Sequence, residues 1–306
     1  MISLGIMTQH SKASYLELLF SCLLSQEGIS REMIEICIFG DPLFPLTLLQ
    51  PLQEKYPVFF HRYSHPFNIG YVRNQISQIA SNEYVVYLDD DVLCCRTFLR
   101  EVLQLIKEEK PDILAGLSFH VFKKPQELKS ILEMLNWTEV VERYGRRDSY
   151  LRKVGRYREN LRDAPWLGVI GRNMVIRREL IQKDPFFECD TMGFEDTEFA
   201  FRTWKKGGKL LLKNDLLLTV LHAYHSQPLD KKTAYRKTFD QLVEKKRLPS
   251  FIKSLFFPEQ KKLMKLLIII FMILRKINLS RPFSMIFLMK SVQEFIDVGN
   301  SFFAKK

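Results

Sequence analysis

Three consecutive carboxylates, Asp89, Asp90 and Asp91, directly follow the apolar run "YVVYL" in a chain whose formal net charge is +11. Adjacent acids repel one another, and a bound cation removes the conflict. Hard divalent ions such as Mg2+ and Mn2+ take oxygen ligands, usually shared between one or two carboxylates and a substrate's phosphates. In an extended segment residues i and i+2 point to one side. That spacing sets Asp89 and Asp91 together for a cation and turns Asp90 toward the backbone or a neighbouring loop, as support. With a nucleotide diphosphate present, the ion offsets charge developing on the leaving group. The simpler alternative is a solvated turn in which an Asp caps the helix of "VLCCRTFLREVLQLI".

A second acidic constellation is "GFEDTEFAFR", residues 193–202. Gly193 allows a tight turn, and Glu195 and Asp196 then fall in the first turn of a helix whose Phe199 and Trp204 can face the core. A helix N-terminus favours negative charge, and a carboxylate held there suits a base that accepts a proton from a hydroxyl nucleophile. Ordinary acidic residues opening a helix are the alternative.

The elements that must position these acids follow from hydrophobic period. Over the first 92 residues short apolar stretches alternate with helix-like segments, the pattern of a parallel sheet with crossover helices. "ISLGIM", "EICIF", "YPVFFHRY" and "YVVYL" read as strands, and residues 14–26 and "GYVRNQISQIAS" as helices. "YVVYL" is a continuous apolar run of the kind buried on both faces of such a sheet. The acidic cluster then sits at that strand's C-terminal end, where open α/β sheets place ligands. A charged helical stretch, about 121–165, looks inserted into the pattern, with Gly145 as a break between helices. After it "WLGVIGRNMVIRREL" reads as a strand and turn leading into a helix, and "LLLTVLHAYHS" as a strand ending in polar residues.

The ordered succession "NIGYVRNQISQIASNEYVVYLDDDV", "WLGVIGRNMVIRREL" and "FFECDTMGFEDTEFAFRTWKKGGKL" resembles glycosyltransferase family 2 on a GT-A fold, over roughly residues 2–227. The resemblance implies a Rossmann-like, mostly parallel sheet flanked by helices and followed by a helical C-terminal extension. It implies transfer of a sugar from a nucleotide diphosphate, most often UDP, with inversion at the anomeric carbon. Asp89 and Asp91 then match the metal-binding D-x-D, and Asp90 lies beside them against the nucleotide-sugar. Asp196 matches the base, with Glu195 holding the acceptor. Arg73 and Asn74 match the segment running from the nucleotide pocket, and Asp41 the acid that recognises the nucleobase, although "GDP" at residues 40–42 departs from the usual acidic pair. "GRNMVIRRE" matches a segment near the transferred sugar: Gly171 permits close approach, and Asn173 either bonds sugar hydroxyls or caps the chain locally.

A cation shared with a diphosphate has room for another protein ligand, Mn2+ or Mg2+ being expected. Family members with a D-x-D often supply a histidine after the second acidic block, where this chain has His222 and His225. On a strand these two face opposite ways, so one reaches the metal. "AYHSQP" resembles the corresponding turn of chondroitin-synthase-like members and favours His225, with His222 as the alternative. The Q-x-x-R-W motif and spanning helices of processive members are missing from this sequence, which points to single additions.

Composition bounds the rest. The 306 residues are 46% hydrophobic and 26% charged, ordinary for a globular chain. Five cysteines with no C-x-x-C pair suggest neither a disulfide framework nor a thiolate zinc site. The N-terminus lacks the pattern of a secretory signal. The longest apolar run, residues 266–274, is far short of the roughly 20 residues of a spanning helix. From Val243 onward thirteen Lys and Arg face four Asp and Glu, interleaved with Leu, Ile, Phe and Met. That pattern favours an anionic membrane surface over nucleic acid, with packing on the catalytic domain or dimerisation as alternatives. The expected organisation is a catalytic domain over 1–228 and a basic amphipathic helical region over 229–306. The expected setting is the cytoplasm, peripheral at the inner membrane face, with a nucleotide-diphosphate sugar as donor and a glycan or lipid-linked acceptor. A noncatalytic nucleotide-sugar or glycan binder on the same fold is the competing function. A metal-dependent phosphotransferase is the weaker third, since D-x-D-x-T would need Thr where Leu93 stands.

Overall fold

The computed structural model describes residues 1–8, 12–63, 68–154, 156, 161, 164–188, 193–223, 231–245 and 247–248. His225 and the basic region beyond residue 248 lie outside the described residues.

Alternating apolar segments become alternating strands and helices. In order these are β1 (Ile2–Thr8), α1 (Ala13–Leu24), β2 (Ile34–Gly40), α2 (Gln50–Lys55), β3 (Val58–Arg62), α3 (Ile69–Ile79) and β4 (Tyr84–Asp89). Next come β5 (Val92–Cys94), α4 (Phe98–Glu109), β6 (Ile113–Ala115), β7 (Ser118–Val121), α5 (Pro125–Met134), α6 (Trp137–Tyr144), β8 (Arg146–Arg147) and α7 (Ser149–Lys153). The chain continues through β9 (Asn173–Arg177), α8 (Arg178–Lys183), α9 (Glu195–Lys205), β10 (Leu210–Leu212), β11 (Val220–Ala223) and α10 (Lys231–Glu244).

Seven strands form the main sheet in the order β10-β6-β9-β4-β1-β2-β3, and among the described residues only β9 runs against its neighbours. Strand parity splits the core in two. Ile2, Leu4, Ile6, Val86 and Leu88 pack with α1, α4, α5 and α6 on one face. Val85, Tyr87, Met174 and Ile176 pack with α3, α8, α9 and α10 on the other. Asp89 follows the parity of Val85 and Tyr87, so it leaves the sheet on the α3 and α9 side.

A second sheet, β5-β11-β7-β8, was not evident from sequence. Its strands have two to four residues, too few to establish an alternation. The stretch expected to be a helical insertion contributes one of them: α5 and α6 form, α6 stops at Gly145 as expected, and Arg146 and Arg147 then pair with His120 and Phe119. Trp204 also differs from expectation, being 37% exposed while Phe199 is buried.

Candidate active site

Register gathers the acids at one edge. Met7 stands opposite Asp89, Thr8 opposite Gly40, and Asn173 at the start of β9 next to the end of β4, opposite Leu88. The segments after β1, β2 and β4 and before β9 therefore meet where open α/β sheets hold ligands.

Asp89 ends β4, and Asp90 and Asp91 make the turn into β5. Asp91 is buried, with Lys12 Nζ donating to Oδ2 at 2.7 Å and His222 Nε2 3.2 Å from Oδ1. Burial alone would raise its carboxyl, but the hydrogen bond and charge of His222, with Lys12, hold it well below the usual range. Asp89 is raised by burial and then by the charge of Asp91. Asp90 is pushed up to about 8 by burial and by Asp91, against the pull of Lys12. Of the three, Asp91 is the one whose surroundings favour the ionised form.

The pair Asp91 Oδ1 and His222 Nε2 is suited to a divalent ion. Two adjacent ligands of an octahedral ion with bonds of about 2.1 Å stand roughly 3 Å apart, and these atoms are 3.2 Å apart. Among the described residues no group of three His, Cys, Asp or Glu converges on one point. Two protein ligands with open positions for phosphate oxygens is the arrangement hard ions adopt on nucleotides. His222, in β11, is the histidine found beside Asp91.

The second acidic pair divides its work. Phe194 takes a left-handed backbone, φ 67°, just after Gly193, φ 99°, and starts α9 abruptly. Asp196 stays partly exposed. Its Oδ2 accepts the Gly171 N–H at 2.6 Å, and its Oδ1 accepts the Thr197 N–H at 2.6 Å and Thr197 Oγ1 at 3.2 Å, which fixes the carboxylate while a lone pair remains on Oδ2. Glu195 instead turns inward. It is 4% exposed and accepts from Arg73 Nη1 at 2.6 Å. Burial, then the charge of Asp196, raises its carboxyl against the pull of Arg73. The acceptor-holding part expected of Glu195 thus gives way to an ion pair beneath Asp196.

Arg73 is buried, its guanidinium 5.9 Å from the Tyr87 ring centre and 5.5 Å from that of Phe186. It lies so close to Gly171 that a Cβ there would come within 1.8 Å of Nη2. Glycine at 171 therefore serves Arg73 and, through its N–H, Asp196. Asn74 and Asn173 are buried and occupied structurally. Asn74 donates to Phe186 O at 3.0 Å and Glu188 Oε1 at 2.7 Å and accepts from Phe186 N at 2.8 Å, tying α3 to the segment before α9. Asn173 Nδ2 donates to Leu117 O and Leu218 O, both at 2.8 Å, stitching the two sheets together. Both amides are taken up by these contacts, and Asn173 bridges two distant segments rather than capping the chain locally. Asp41 is partly exposed after β2, and its Oδ1 accepts the Leu43 N–H at 2.9 Å.

Sequence reasoning did not single out Lys12, His120, Asp148 or Arg172. His120 Nδ1 is 3.0 Å from His222 Nδ1, Arg172 Nη1 is 3.0 Å from that same nitrogen, and Asp148 Oδ2 meets His120 Nε2 at 2.8 Å. The available signal was slight: Asp148 before "SYLRK" has the form of a helix cap.

Comparison with known proteins bears on the family and the fold. The profile of glycosyl transferase family 2 matches residues 4–184, more than half of the chain. No curated protein sequence is matched. Among solved structures, S. aureus TarS 1–349 in complex with UDP-GlcNAc is similar at TM-score 0.58 and 15% identity, over 79% of this chain and 66% of that one. Mannosyltransferase PcManGT from Pyrobaculum calidifontis, in complex with GDP-Man and Mn2+, is similar at TM-score 0.52 and 12% identity, over 79% of this chain and 64% of that one. The chain thus spans just under two thirds of each neighbour, and at these identities the likeness speaks for the fold.

Proposed function

The chain belongs to glycosyl transferase family 2, and from that premise we propose that it is a metal-dependent, inverting, nonprocessive glycosyltransferase using a nucleotide-diphosphate sugar, UDP-linked in the first instance. The observation that carries the reading is the pairing, at one sheet edge, of a buried Asp91–His222 couple with a partly exposed Asp196 fixed by backbone N–H groups. The solved neighbours bind UDP-GlcNAc and GDP-Man, the second with Mn2+, which supports a nucleotide-sugar donor and a divalent ion.

In this mechanism Asp196 accepts the proton of the acceptor hydroxyl as its oxygen attacks the anomeric carbon in line. Gly171 and Thr197 hold the carboxylate still, so little reorganisation is needed at the moment of transfer. The Arg73–Glu195 pair forms a rigid floor beneath it. Asp91 and His222, with Asp89 beside them, would hold Mn2+ or Mg2+, which when bound supplies charge stabilisation to the departing diphosphate. Lys12, already against Asp91, adds a second positive charge on that side.

The acceptor belongs to the proposal as a glycan or lipid-linked hydroxyl, and the basic C-terminal region as a contact with anionic lipid. The deciding experiment is a screen of UDP-, GDP- and dTDP-sugars for binding and slow hydrolysis, with and without Mn2+. Binding without any metal-dependent turnover, with or without acceptor, would leave a nucleotide-sugar binder. For the lipid contact, deleting residues 249–306 should shift the protein from membrane to soluble fractions; an unchanged partition sinks it.

A further inference from the structure

Asp148 belongs to none of the motifs that define the reaction, yet it is 2% exposed and four groups converge on it. Its Oδ1 accepts the N–H groups of Tyr150 at 2.7 Å and Leu151 at 3.0 Å, capping α7. Its Oδ2 faces His120 Nε2 at 2.8 Å and Arg172 Nη1 at 3.3 Å. Burial works against this charge, but His120 and Arg172 outweigh it and keep the carboxyl well below the usual range.

From Asp148 a line of polar contacts runs to the acidic cluster through four segments of chain. His120 Nδ1 lies 3.0 Å from His222 Nδ1, and His222 Nε2 lies 3.2 Å from Asp91 Oδ1. An ionised carboxylate only accepts, so Asp148 requires a proton on His120 Nε2. His120 Nδ1 then stands against His222 Nδ1, so the His120 ring fills the space between Asp148 and His222. The far edge of the His222 ring, Nε2, is thereby turned toward Asp91. Arg172 Nη1, a pure donor, stands 3.0 Å from His222 Nδ1 and 3.3 Å from Asp148 Oδ2 and holds the same ring from a second side.

We propose that Asp148 is a positioning residue which, through His120 and Arg172, fixes the ring of His222 and so preforms the cation site at Asp91. The inference rests on the metal-dependent reading above. Second-shell carboxylates of this kind typically change metal affinity 10- to 100-fold when removed. The inserted stretch between β7 and β9 thereby has a task at the site.

The test uses the full-length protein and Mn2+, titrated alone and with UDP and followed by the EPR signal of free Mn2+. Wild type should bind Mn2+ in the presence of UDP. Asp148→Asn, which removes the charge that holds His120 and Arg172, should bind it at least 10-fold more weakly. Its metal-free affinity for UDP should be unchanged, and Asp148→Glu should recover part of the loss. Nitrogen NMR of the imidazoles should show the His222 signals shifted in Asp148→Asn. Should Asp148→Asn fail to fold, His120→Asn carries the same expectation of weakened Mn2+ binding. Mn2+ affinity within twofold of wild type in a folded variant overturns the inference and leaves the proposed function standing. A wild type that binds no Mn2+ with UDP overturns both.

Discussion

Replacing Gly171 by Ala tests the packing beneath the base most directly. A Cβ there would stand 1.8 Å from Arg73 Nη2 and 2.6 Å from Cζ, far inside van der Waals contact. The tip of an arginine ordinarily swings aside at little cost, but this one is 2% exposed, bonded to Glu195 and enclosed by the Tyr87 and Phe186 rings. Displacing it leaves Glu195, itself 4% exposed, as an uncompensated buried charge. Breaking a buried pair in that way costs about 3 kcal/mol. For a domain of this size that lowers Tm by roughly 6–12 °C. The assay is a double-mutant cycle by thermal or chemical denaturation. In an Arg73→Met, Glu195→Gln background the space is open and the buried charge is gone, so Gly171→Ala should cost less than about 1 kcal/mol. If Gly171→Ala costs the same in both backgrounds, or shifts Tm by no more than a degree in the wild type, the guanidinium is not held as argued.

Asp196→Asn should lower kcat by about 10²- to 10⁴-fold while affinity for the nucleotide stays within twofold; turnover near wild type would remove Asp196 as the base. Lys12→Met, by freeing Asp91 Oδ2 of its 2.7 Å contact, should tighten binding of Mn2+ alone several-fold in the same EPR titration, and unchanged affinity would show that lysine and metal do not compete. At Gly116 an added Cβ would meet the Leu218 carbonyl oxygen at 2.0 Å, and since this is backbone, Gly116→Ala should cost about 3 kcal/mol, seen as a lower denaturation midpoint. Glu35 accepts from Ser3 Oγ at 2.5 Å, Ser81 N at 2.5 Å and Ser81 Oγ at 2.7 Å. Burial opposes its charge, but these donors outweigh it and lower its carboxyl. Its stabilising contribution is thus present above the unfolded value of about 4.3 and lost as pH falls through the lower folded value. The stability gap between wild type and Glu35→Gln should close on acidification below about pH 4; a gap that widens there contradicts the assignment.

The sequence by itself determined β1 to β4 and β9 of the main sheet and the location of both acidic groups. Strands such as "YVVYL" are apolar on both faces and belong inside a covered sheet, which puts Asp89 to Asp91 at its C-terminal edge. The turn at Gly193 likewise placed Asp196 at the start of a helix. Tertiary structure decided what each polar group does there. Glu195 and Asp196 are neighbours in sequence, yet the helix turns one inward to Arg73 and leaves the other open. Asn74 and Asn173 are residue types that bind sugars, but their partners lie in segments over 40 positions away. The chain from Asp148 to Asp91 joins residues 148, 120, 222 and 91. Its strands are too short to show a period, and its contacts span separations at which local pattern carries no information, so only the folded arrangement could bring it together.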